Sequence, residues 1–174
     1  MREIIYNSDN LLDDDITDVV VRTKALIINN NNIYLGKEND IYQFPGGHLE
    51  KNETLLECLK REIREETGII INDSEVEKPF LKIVYMNKDY PEINKNGMSE
   101  IYYYVVNTNK LVNLDEVNYT EEEKKNNFKI EIIPVDKVIS IIKDNIFKNE
   151  KNKIISRDMI IAIDEYLKNI IDNN

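Results

Sequence analysis
Residues 47 to 69, GHLEKNETLLECLKREIREETGI, constrain the fold more than any other stretch of the chain. Good helix formers from Glu53 to Thr67, with Asn52 before them as a side-chain cap and Gly68 after them as a left-handed stop, predict one amphipathic helix. On a 3.6-residue wheel Leu55, Leu56, Leu59 and Ile63 form one apolar stripe, while Glu57, Lys60 and Arg64 lie on the opposite, solvated side. Glu62 and Glu66 project near the stripe and Glu65 flanks it one step round. Spacings of three and four residues therefore bring three carboxylates together at one inward-facing end.

Clustered anions that point inward repel one another and are costly to desolvate unless something neutralises them. A hard divalent cation does so: Mg²⁺ takes oxygen ligands, keeps several waters and is commonly shared between carboxylates and substrate phosphates. The competing reading is a merely solvated run of glutamates near a helix end.

The spacing decides between them. Gly47 is followed after five residues by Glu53, and after seven more by Arg61-Glu62-Ile63-Arg64-Glu65-Glu66-Thr67-Gly68-Ile69. This is the complete Nudix box, covering 23 of 174 residues, and the chain resembles a Nudix (MutT-like) hydrolase. The resemblance implies water attack on a phosphorus of a nucleoside diphosphate linked to another moiety: a nucleoside triphosphate, a nucleotide sugar, an ADP-ribose-like compound or a dinucleoside polyphosphate. It implies Mg²⁺ as cofactor, with Mn²⁺ able to substitute. Carried over by position, Glu62, Glu65, Glu66 and the Gly46 carbonyl are the expected metal ligands. Glu62 and Glu65 are also expected to act in catalysis, with Arg61 orienting the carboxylates and Glu53 supporting the site. A further glutamate from a late loop, as base or ligand, is expected among Glu121, Glu122 and Glu123. Tyr42, three residues before Pro45-Gly46-Gly47, and Tyr85, sixteen residues beyond the box, are the expected aromatic contacts to substrate. The alternative is a regulator that binds nucleotides on the same fold without turnover, which the intact glutamate set disfavours.

Charge supports the need for a metal. With 33 acidic and 23 basic side chains the net charge is -10, which opposes a polyanionic partner, and no basic stripe suggests a nucleic acid duplex. A small phosphate-bearing substrate would need cations to approach this surface. The lone Cys58 forms no internal disulfide and is most simply a small buried hydrophobe, not a nucleophile paired with His48. No apolar run reaches membrane-spanning length and residues 1 to 18 do not read as a signal peptide, so a single domain over residues 1–174, cytoplasmic and away from membranes, is expected, with a homodimer left open.

Along the chain, residues 1 to 18 read as an edge strand or a partly ordered arm, and residues 19–28 with 33–35 as a hairpin. Period two places Arg22 and Lys24 on one strand face, where they can meet phosphate oxygens, and Val21, Thr23 and Ala25 on the other. Pro45 and Gly46-Gly47 make a tight turn, and His48 reads as a structural or solvated loop histidine. A brief buried strand is expected at Ile69–Ile71, and longer ones at residues 80–86, 101–106 and 128–133. In the 101–106 strand Tyr102 and Tyr104 share one face and Tyr103 takes the other. The polar stretch 107–126 is long for a loop, with Thr120 and Glu123 spaced as a capping box for a short helix. Pro134 opens a helix that buries Val135, Val138, Ile139 and Ile142. A charged link, 143–153, precedes a last helix from Ser156 to about residue 171 with Met159, Ile160, Ile163, Leu167 and Ile170 inward. This order predicts an α/β (α+β) protein with a central mixed sheet covered on both faces, in agreement with the α/β/α sandwich of Nudix proteins.

Overall fold
The computed structural model describes residues 1–146 and 150–172. Seven strands form one sheet: β1 (Arg2–Tyr6), β2 (Asp18–Asn29), β3 (Asn32–Glu38), β4 (Ile41–Gln43), β5 (Leu81–Asn87), β6 (Gly97–Asn107) and β7 (Lys129–Pro134). Their order is β1-β5-β6-β2-β3-β4, with β7 also paired to β3. The sheet is mixed: β1–β5 and β2–β6 are parallel, while the β2–β3, β3–β4, β3–β7 and β5–β6 pairs are antiparallel. The acidic lead-in thus supplies an edge strand, and the expected hairpin is present with Ile27 opposite Tyr34.

Side-chain alternation divides the core into two layers. Leu26, Ile83 and Tyr103 pack with Val138, Ile142, Met159 and Ile163 of α3 (Val135–Asn145) and α4 (Glu150–Asp172) on one face. Ala25, Ile27 and Tyr104 pack with Leu59 and Ile63 of α1 (Leu55–Thr67) on the other. Neighbouring tyrosines in β6 therefore serve opposite layers, as period two requires.

β2 positions the site. One of its edges is bonded to β6 from residue 18 to 28. The other pairs with β3 at residues 27–29 and then receives the turn after β4: Ala25 N donates to the Pro45 carbonyl at 2.8 Å, Thr23 N to that of Gly47 at 3.0 Å, and Leu49 N to that of Val21 at 2.9 Å. The Pro45-Gly46-Gly47 turn is thereby strapped to the strand that carries Arg22 and Lys24.

Several local expectations change. The box helix begins at Leu55, not Glu53, and its cap is Thr54, not Asn52. The Thr54 hydroxyl accepts from Glu57 N and the Glu57 carboxylate accepts from Thr54 N at 2.8 Å, so a two-way capping box displaces the single Asn cap. Asn52 instead occupies the left-handed region, φ 69°, in the turn before the helix. Ile69 and Ile71 are buried as expected but form no strand. The charged link is largely helical: α3 reaches Asn145 and α4 starts at Glu150, before the expected Ser156, while residues 147–149 of the link lie outside the described residues. Ile170 is exposed, because the contact of α4 with the sheet fades toward its C-terminal end.

Candidate active site
Helix α1, the Pro45–His48 turn, β2 and α4 enclose a cavity of about 760 Å³. Its lining includes Glu62, Glu65, Glu66 and Arg61 from the box helix, Gly46 and Gly47 from the turn, and Arg22 and Lys24 from β2. These residues lie up to 44 positions apart in sequence and meet because the turn and the strand share hydrogen bonds.

Gly46 sits at φ 130°, and a Cβ there would come within 2.1 Å of the Thr23 carbonyl oxygen, so no other residue fits this crossing. At Gly47 a Cβ would approach Glu62 Oε1 to 2.5 Å and push that carboxylate away from the turn. The bare backbone thus lets the Glu62 carboxylate lie against the turn.

Glu66 is the most enclosed of the acids, 5% exposed. Its Oε1 accepts from Gly46 N at 3.3 Å, while its buried Oε2 has no hydrogen-bond partner among the described residues. Burial pushes its pKa up, opposed by the Lys24 ammonium. Burial pushes the Lys24 pKa down, opposed by Glu66 and Glu62. Lys24 Nζ donates to the Phe44 carbonyl at 3.0 Å and to the Gly46 carbonyl, the backbone oxygen expected to bind metal. A single ammonium therefore stands among two carboxylates and two carbonyls.

Arg61 organises the remaining acids. Its Nε and Nη2 donate to the two oxygens of Glu53 at 2.8 and 2.9 Å, and its Nη1 donates to Glu62 Oε1 at 2.6 Å. Nη2 also reaches the His48 carbonyl at 2.9 Å. These hydrogen bonds to Arg61 hold the Glu53 carboxyl below its ordinary pKa, whereas burial raises that of Glu62 despite the same partner. Glu65, more than a third exposed, makes a longer 3.5 Å contact to Arg61.

The late loop brings one of the three candidate glutamates to the cavity. Asn118 N donates to the Glu65 carbonyl at 2.8 Å and Asn113 N to that of Thr67 at 2.9 Å, which folds the loop onto the end of α1. Thr120 then caps α2 (Glu121–Lys125), and Thr120 and Glu123 line the cavity. Glu121 points to solvent with Lys124, and Glu122 lines a separate surface depression. Both are corrected: a capped turn of helix directs only one of three successive side chains toward α1.

Tyr85 lines the cavity, but Tyr42 does not. Tyr42 is buried with its hydroxyl donated to Glu131 Oε2 at 2.7 Å and the Lys37 ammonium 4.9 Å from its ring centre, because β4 pairs with β3 and turns that side chain into the core. The expected substrate contact at Tyr42 is therefore corrected. His48 lines the cavity, and burial with the nearby Arg22 and Lys24 lowers its pKa. Cys58 is buried 3.3 Å from the Thr23 hydroxyl, and burial raises its thiol pKa, which fits a packing role.

A second polar group at the far end was not anticipated. Tyr85 donates its hydroxyl hydrogen to the buried Asp158 carboxylate at 2.6 Å, and Arg157 Nη2 donates to the same hydroxyl oxygen at 2.6 Å. The Tyr6 ring stacks on Tyr85 at 5.0 Å, and the Arg157 guanidinium lies 4.2 Å from the Tyr6 ring centre. The only signal in the sequence was an acid, Asp158, directly before the inward-facing Met159.

The donor set suits a hard cation. Hard oxygens predominate, one buried carboxylate oxygen is unpaired, and Gly47 leaves room for Glu62 beside Gly46. Among the described residues no three acidic, His or Cys side chains are gathered closely enough to hold an ion by themselves. Waters and substrate phosphates would complete the shell, as is usual for Mg²⁺.

The chain matches the NUDIX domain family over residues 19–156. It is 39% identical over 61 residues to an 8-oxo-dGTP diphosphatase of Buchnera aphidicola, covering 32% of this chain and 45% of the relative. It is 31% identical over 67 residues to the m7GpppN-mRNA hydrolase of Saccharomyces cerevisiae, covering 38% of this chain and 7% of that protein. This chain therefore spans less than half the length of either relative. Among solved structures, a NUDIX hydrolase from Nitrosomonas europaea superposes with TM-score 0.54 at 16% identity, covering 87% of this chain and 90% of that one, a likeness of fold. No helix among the described residues is long and apolar enough to cross a membrane. With the box intact, the turn before it strapped to β2, and the family match running through most of the chain, this protein belongs to the Nudix (MutT-like) hydrolase family.

Proposed function
We propose that this chain is a divalent-metal-dependent pyrophosphohydrolase that cleaves a nucleoside diphosphate linked to another moiety, with Mg²⁺ as cofactor and Mn²⁺ able to substitute. The observation that carries this reading is the buried, unpaired Glu66 oxygen beside Glu62 and the Gly46 carbonyl, in a cavity that also holds two strand cations. Glu62, Glu65, Glu66 and the Gly46 carbonyl would hold the metal. Once bound, the metal would neutralise the diphosphate and lower the pKa of the attacking water.

The protein's own side chains do the rest. Arg22 and Lys24 bind phosphate oxygens; Lys24 is now the counter-charge to Glu66 and Glu62, a role that a bound divalent ion would take over. Glu53 and Arg61 hold Glu62 in place. Glu65 takes the proton of the attacking water: it is the more open carboxylate at the mouth, whereas Glu123 is held in its helix cap through Oε2, which accepts from Thr120 N at 2.6 Å and the Thr120 hydroxyl at 2.8 Å. The Buchnera relative is named for diphosphatase chemistry, which supports the reaction class.

The test is phosphate release from a panel of nucleotides, coupled to a phosphatase, with and without Mg²⁺. Metal-dependent turnover that disappears in the double variant Glu65→Gln, Glu66→Gln supports the assignment. Turnover untouched by that variant sinks it.

A further inference from the structure
A second cavity of about 390 Å³ adjoins the first and shares Arg22, Tyr85 and Ile154 with it. Its size lies within the range of small-molecule sites, about 300–1,000 Å³. It is formed by the start of β2, the start of β6 and the loop between β5 and β6. Val20, Met98, Tyr90 and Pro91 give it an apolar and aromatic lining. Val20 and Tyr90 are 37% and 61% exposed, so their apolar surface is open to a ligand.

The two cavities differ in chemistry. The first gathers the box acids, Arg22 and Lys24, whereas Arg22 is the only cation among the described residues lining the second. Arg22 stands at the boundary, and among the described residues only one of its five N–H groups has a protein acceptor, the Ser99 hydroxyl at 2.5 Å. That hydrogen bond fixes the guanidinium while leaving donors for phosphate oxygens on either side. A phosphate group would find no further cation among the described residues of the second cavity. Asp18 and Asn87 also line it and can meet a base edge or a sugar hydroxyl, while Ser99 is already engaged by Arg22. A planar base, with an apolar face for Val20 and Met98 and a ring to stack on Tyr90, matches the lining.

We propose that the second cavity holds a second nucleoside, so that the favoured substrates carry two nucleosides joined through phosphates that pass Arg22. This rests on the hydrolase reading for its chemistry, but binding tests it separately. Affinities of the full chain for diadenosine tetraphosphate, NADH and ATP would be measured by calorimetry with Ca²⁺ in place of Mg²⁺, alongside turnover with Mg²⁺. One or both two-nucleoside ligands should bind about tenfold more tightly than ATP, and Tyr90→Ala or Val20→Asp should remove most of that preference. Tyr90 is largely exposed, so its variant should fold normally, as circular dichroism would verify.

Which two-nucleoside ligand binds more tightly gives the length of the phosphate bridge. Equal binding of all three ligands by the wild type, or a preference that both variants leave intact, overturns the proposal. A preference for two-nucleoside ligands without Mg²⁺-dependent turnover would overturn the hydrolase reading and leave the second nucleoside site standing. Turnover without that preference would do the reverse.

Discussion
Arg61 and Glu53 are joined by two parallel hydrogen bonds, 2.8 and 2.9 Å long, across eight residues of sequence. Glu53 lies before the helix and Arg61 within it, so this fork ties the loop that enters α1 to the helix's acidic face. The same guanidinium holds Glu62 at 2.6 Å. The orientation of an expected metal ligand thus depends on a residue that need not touch the metal.

Glu53→Gln should leave the fold intact and lower activity or metal affinity by about 10- to 100-fold, the usual effect of removing a group that orients a metal ligand. Titrating Mg²⁺ against initial rate would separate weaker metal binding from slower turnover. Arg61→Lys should behave similarly, because an ammonium cannot reproduce the planar fork.

Mg²⁺ should stabilise the native protein. At a concentration about 100 times its dissociation constant, the gain would be about 2.7 kcal/mol, visible as a higher melting temperature and reversed by a chelator. Glu66→Gln should lose most of this gain, since Glu66 supplies the unpaired buried oxygen. An undiminished metal-induced shift in that variant would contradict the ligand assignment.

Lys24→Met removes the cation facing Glu66 and Glu62 and leaves acceptors on Phe44 and Gly46 unpaired. Without metal the variant should lose up to about 3 kcal/mol of stability. Adding Mg²⁺ should restore part of this loss, because the ion neutralises the same carboxylates. Urea unfolding with and without metal would check both halves.

Glu75 provides a pH probe remote from the site. Hydrogen bonds from Lys110 and Thr108, at 2.5 and 2.6 Å, and one from Asn72 N depress its pKa to about 2. A depressed acid contributes stability that is fully present above its unfolded pKa and lost as pH falls toward its folded value. Glu75→Gln should therefore lower the urea midpoint at pH 7. The gap from wild type should narrow steadily as pH falls from about 4.5 toward 2.

Local physics was legible wherever spacing alone sets the geometry. The sequence determined the amphipathic box helix, the inward placement of Glu62 and Glu66, though not the more open position of Glu65, the shared face of Arg22 and Lys24, and the split of Tyr103 from Tyr102 and Tyr104, because helix and strand periods act over a few residues. Cap choice was harder, since Asn52 and Thr54 both have suitable side chains and only the reciprocal bond with Glu57 separates them. Only tertiary structure could place Lys24 on the Gly46 carbonyl, choose Glu123 over its two neighbours, withdraw Tyr42 into the core and bring Asp158 to Tyr85. Each of these depends on which strand edge, loop or helix packs beside the residue, and such long-range neighbours leave no periodic mark in the chain.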